Sequence, residues 1–91
     1  MAFLHLNLKG EYFDQIASGE KVEEYRLVNA YWQKRLFFKR YEGIVIKKGY
    51  PKKDDSSRTI ERFWRGWKIK TITHPHFGPD PVEVFAIRVN P

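Results

Sequence analysis

The chain contains no cysteine, which excludes a disulfide scaffold, a cysteine nucleophile and any thiolate metal site. It also lacks any run of 18 apolar residues, so no segment reads as a membrane-spanning helix. There is no internal repeat and no low-complexity tract. The first residues, Met-Ala-Phe-Leu-His-Leu-Asn-Leu-Lys, alternate apolar and polar and lack the apolar block of a signal peptide. These absences lead to the expectation of a cytoplasmic protein without a membrane partner. The 91 residues leave no room for a second core, so one domain over residues 1–91 is expected.

Aromatic residues and positive charge are abundant. Seven Phe, five Tyr and three Trp can supply much of a thin core, and 42% hydrophobic residues make the chain too apolar for disorder. The net charge is +6, but it is unevenly spread. Residues 34–70 hold 13 Lys and Arg against four acids, a local +9, and the flanks together carry −3. A concentrated basic segment attracts polyanions and points to a nucleic-acid partner. The plainer reading is a basic protein with a solvated charged face.

Residues 3–9 alternate, with Leu4, Leu6 and Leu8 on one face and Phe3, His5, Asn7 and Lys9 on the other, as in a half-buried strand ended by Gly10. Tyr12, Phe13, Ile16 and Ala17 make one apolar face of a short helix, and Gly19 suits the left-handed position that closes it. Residues 21–26 read as a second strand. Asn29 caps a second helix from Ala30, with Trp32 and Leu36 one turn apart. Gly43 introduces a short strand, Ile44-Val45-Ile46. Residues 49–59 read as a mobile loop or hairpin tip, with Lys52-Lys53-Asp54-Asp55 solvated at its end. Residues 60–73 are strand-rich, with Gly66 as a bulge or bend. Residues 74–81 form a stiff proline loop, and residues 82–89 are apolar on both phases, as in a central strand. The order is β-α-β-α-β-β-β, an α+β chain of about five strands and two short helices. A small, partly open mixed β-barrel is the expected architecture.

Residues 19–26, Gly-Glu-Lys-Val-Glu-Glu-Tyr-Arg, contain G-x-K-x-x-E-x-R at Gly19, Lys21, Glu24 and Arg26. Glu24 and Arg26 share a strand face. Arginine offers a planar fork for phosphate or a base edge, lysine a point charge, and the glutamate can orient both or act as a base. Strict alternation puts Lys21 on the opposite phase, so the three converge only if Lys21 belongs to the turn or a bulge intervenes. The plainer alternative is a surface ion pair with a solvated lysine.

This motif, placed between a short helix and a strand, resembles the signature of the ASCH domain, a branch of the PUA-like fold. The preceding helix ending Ile-Ala-Ser-Gly and the last strand fit the same pattern. The resemblance implies a PUA-like barrel, RNA as the ligand, and a cleft lined by Lys21, Glu24 and Arg26. Some members resemble amidohydrolases of acylated cytidine nucleosides, using the motif lysine, a threonine and a later glutamate. This chain has Glu24 in place of the threonine, and its only later glutamates are Glu61 and Glu83. Other members look like ribonucleases, a chemistry that Lys21 and Glu24 could serve.

Phe63-Trp64-Arg65-Gly66-Trp67-Lys68 interleaves aromatics with cations, so Arg65, Trp67 and Lys68 are further candidates for nucleic-acid contact. Alternation expects one of Trp64 and Trp67 buried in the core and the other available for stacking. His74-Pro75-His76 could join His5 in a metal pair, but no carboxylate sits at a supporting spacing. Either histidine could instead line the cleft. No cofactor or metal is expected. Three functions remain open: a module that binds RNA or an RNA-derived nucleotide, a small enzyme on RNA or a modified nucleoside using Lys21 and Glu24, and a protein-interaction module with a basic face.

Overall fold

A computed structural model describes residues 2–52 and 55–91. Six strands and two helices follow the chain as β1 (Phe3–Leu8), α1 (Gly10–Ala17), β2 (Glu23–Leu27), α2 (Ala30–Leu36), β3 (Gly43–Lys48), β4 (Thr59–Phe63), β5 (Trp67–Ile72) and β6 (Val82–Arg88). The strands make two three-stranded sheets, ordered β1-β3-β4 and β2-β6-β5. The architecture is α+β as expected; among the described residues there are six strands where about five were expected, and they form two sheets with no closed barrel. Residues 60–73 are the cause. Gly66 takes a left-handed backbone (φ 80°), and the chain passes there from β4 in one sheet to β5 in the other. No helix of the described residues is long and apolar enough to cross a membrane.

The core sits between the sheets. Leu4, Leu6 and Leu8 from β1 and Ile44 and Ile46 from β3 meet Phe85 and Ile87 from β6, closed by Phe13 and Ile16 of α1 and Leu36 of α2. Alternation explains β1, whose odd positions are exposed and even positions buried. β6 pairs on both sides, and Val84 through Ile87 are buried on both phases. Gly10 opens α1 rather than ending β1, and Lys9 is the residue before the helix. Asn29 caps α2 by accepting a hydrogen bond from the Trp32 amide at 3.0 Å. Of the expected charged tip at residues 52–55, Lys53 and Asp54 lie outside the described residues.

Trp64 and Trp67 do not divide into one buried and one free ring. Both are half-buried and pack against the core. Trp67 stands edge-on to Phe85 at 4.9 Å between centroids and meets Phe37 at 5.4 Å. Trp64 follows the end of β4 and Trp67 opens β5 in the other sheet, so alternation along one strand does not relate them.

Candidate functional site

β2 is an edge strand of its sheet, and Glu24 and Arg26 lie opposite Ile87 and Phe85, which face the core. Their side chains therefore point to the inner side of the sheet where β6 no longer covers it, and polar groups end up at the margin of the core. Arg26 Nη1 donates to Glu24 Oε2 at 3.0 Å and to the Tyr25 carbonyl, while Nη2 donates to the Asn7 carbonyl at 3.2 Å. Glu24 Oε1 accepts from the Tyr25 amide at 3.1 Å. The Glu24 side chain is only 6% exposed, so these charge-assisted bonds replace most of its hydration.

Lys21 precedes the strand. The turn that carries it begins at Gly19, whose φ of 85° suits glycine, and continues to Lys21, whose amide donates to the Gln15 carbonyl at 3.0 Å. Set in the turn, Lys21 escapes strand alternation and brings Nζ to 3.7 Å from Glu24 Oε1. The ammonium lies 4.7 Å from the Tyr25 ring centroid and 5.4 Å from that of Tyr12. Cation–π attraction holds it there. Its side chain is 14% exposed, yet Nζ donates to no hydrogen-bond acceptor among the described residues. Its donors are available to a ligand.

These groups line a cavity of about 310 Å³. Trp32, stacked near the Arg26 guanidinium at 5.4 Å, and the His74–Phe77 segment complete its walls. Among the described residues the charged lining is Lys9, Lys21 and Arg26 against Glu24, an excess of positive charge. The structure thus brings Lys21, Glu24 and Arg26 into one cleft, and Gly19 shapes the turn without lining it. Arg65, Trp67 and Lys68 do not join them. Trp67 belongs to the core margin, and Lys68 is exposed on the outer face of its sheet opposite Ala86. Arg65 lines a separate hollow with Phe3 and Phe63. No described residue between 34 and 70 lines the cleft, so the described part of the basic segment is not its wall. Several of its cations are held elsewhere: Lys48 by Asp14, Lys70 by Glu23, and Arg62 by Asn90. Among the described residues no cluster of histidine and carboxylate groups is placed to hold a metal ion.

Sequence reasoning missed Tyr12 and Trp32 as cleft walls, because helical periodicity assigns both to an apolar face and does not distinguish core from cleft. It also missed Asn90. This buried side chain donates Nδ2 to the Ile16 carbonyl at 3.0 Å and to the Lys21 carbonyl at 2.8 Å, and its Oδ1 accepts from Arg62 Nε at 3.0 Å. It fastens the Lys21 turn to the far end of the chain, and no local pattern signals such a contact. Glu23, buried beside Glu24, faces the other way and binds Lys70 Nζ at 2.7 Å. Burial pushes the Glu23 carboxyl up, but the Lys70 ammonium outweighs it and holds the group below the ordinary carboxylate range. Tyr25, whose hydroxyl donates to Glu23 Oε1 at 3.4 Å, is raised by burial and by the Glu23 charge. No family model, curated protein or solved structure matches the chain.

Proposed function

We propose that the chain is an ASCH-type module of the PUA-like class, which binds RNA, or a nucleotide derived from it, in the cleft around Lys21, Glu24 and Arg26. One observation carries the reading: the Lys21 ammonium lies near two tyrosine rings and beside Glu24 with no hydrogen-bond acceptor among the described residues, in a cleft whose described lining has three cations to one carboxylate. A ligand that suits it is flat enough to lie against aromatic walls and carries negative oxygens for Lys21 and Arg26. Nucleotides combine both. The resemblance of residues 19–26 to the ASCH signature supports the same ligand class.

Glu24 acts here as an orienting group. Both of its oxygens are engaged, Oε2 by Arg26 and Oε1 by the Tyr25 amide, and it fixes the two cations relative to each other. Binding of a short single-stranded RNA across a series of salt concentrations tests the proposal. Affinity falls as salt rises, and Lys21→Ala with Arg26→Ala removes most of it. A flat dependence of log K on log salt, or undiminished binding by the double variant, overturns it.

The 3.7 Å approach of Lys21 to Glu24 favours a second reading, a small enzyme on RNA or a modified nucleoside. It differs in demanding turnover that Lys21→Met and Glu24→Gln abolish while the fold persists.

A further inference from the structure

The cleft has a side opposite β2 that the motif does not supply. The short 3-10 turn Pro75–Phe77 sets His74 and His76 against Tyr12, with ring centroids 6.0 and 6.3 Å from that ring. Lys21 Nζ lies 5.4 Å from the same ring, so Tyr12 is the common neighbour of the lysine and the histidines. His74 caps the turn: its Nδ1 accepts from the His76 amide at 3.1 Å. A ring that accepts at Nδ1 carries its proton on Nε2. That Nε2–H donates to no acceptor among the described residues, and His74 lines the cavity. Two unspent donors, on Lys21 and on His74, thus come from separate elements to one hollow, with Lys9 at its margin.

Resting on the nucleotide reading above, we propose that the ligand of this cleft ends in a phosphate monoester and that His74 is one of the residues that read it. A monoester presents three terminal oxygens, whereas a diester inside a chain presents two, and separate donors from Lys21, His74 and Lys9 suit the former. The volume of about 310 Å³ is at the small end of ligand pockets and holds one small group, not a row of bases. Among the described residues the basic segment adds none to the cleft lining. The site takes an end: a nucleoside monophosphate or the phosphorylated terminus of an RNA.

One RNA oligonucleotide in three forms tests this: 5′-phosphorylated, 3′-phosphorylated, and hydroxyl at both ends. One phosphorylated form binds about tenfold more tightly than the hydroxyl form, and which one it is identifies the end that is read. His74→Asn keeps a capping acceptor while removing the Nε2 donor, and it lowers that ratio. Lys21→Met, from the other side of Tyr12, lowers it too. If all three RNAs bind equally well, the monoester proposal is overturned and RNA binding stands. If none binds, the RNA reading itself falls. A ratio that neither variant changes removes both residues from the recognition.

Discussion

Lys21 reaches within 3.7 Å of Glu24 from outside the strand that carries it. The backbone at Lys21 is pinned on both sides, its amide by Gln15 and its carbonyl by Asn90. The turn after α1, rather than the pleat of β2, therefore decides where the ammonium goes. The cleft depends on that turn being held.

Asn90→Ala releases it. The substitution leaves the Lys21 carbonyl and Arg62 Nε without their partner and removes one of the donors to the Ile16 carbonyl, which keeps the Gly19 amide. Loss of about 2–4 kcal/mol in urea unfolding is expected, because each buried group keeps its desolvation cost. Ligand affinity falls as well, although Asn90 does not line the cavity. Unchanged affinity in a folded Asn90→Ala protein would separate the turn from the site.

Glu24→Gln leaves two cations facing an amide. About 1–3 kcal/mol of stability is lost, read as a lower denaturant midpoint at constant slope. Ligand binding weakens despite the added positive charge, since Lys21 and Arg26 lose the group that orients them. Tighter binding of an RNA or nucleotide by this variant would show that Glu24 opposes the ligand instead.

Stability depends on pH through the pair behind the cleft. The Glu23 carboxyl is held below its ordinary value of 4.5, so its contribution is present above that pH and is lost as pH falls through the depressed value. Lys70 is raised above its ordinary 10.5 by its hydrogen bond to Glu23, so its contribution is lost as pH climbs past that range. The stability difference between the native chain and Glu23→Gln is therefore widest at neutral pH and narrows on both sides. Part of the alkaline limb survives the substitution, because burial also raises Tyr25. A difference that stays constant from pH 3 to 7 contradicts the assignment.

Gly43 is a matter of space. A Cβ there would meet Phe3 Cε2 at 2.9 Å and the Arg62 carbonyl oxygen at 3.0 Å. Gly43→Ala costs about 1–3 kcal/mol in thermal or urea unfolding, and Phe3→Ala recovers part of it in a double-mutant cycle. Additive effects of the two changes would place the strain elsewhere.

Local patterns were enough to read β1, α1, the Asn29 cap and the central position of β6, because each follows from period or from one capping side chain. Gly66 was legible as an interruption. Its consequence, a change of sheet, depends on pairing partners far along the chain, β3 for β4 and β6 for β5. The same limit applies to the site. Spacing placed Glu24 and Arg26 together and left Lys21 conditional on a turn. The reading that a histidine of the 74–76 loop lines the cleft agrees with the lining, whereas Tyr12 and Trp32 are separated from the motif in sequence and meet it only through packing. Charge counted along the chain says nothing about which side of a sheet it decorates, and no described residue of the +9 segment lines the cleft.

The most direct measurement is a two-dimensional amide NMR titration of the labelled protein with a nucleoside monophosphate and with a short RNA. The account predicts shifts concentrated at Tyr12, Lys21, Tyr25, Trp32 and His74, with saturation that Lys21→Met abolishes. Shifts confined to residues 34–70, or none with either ligand, would contradict it.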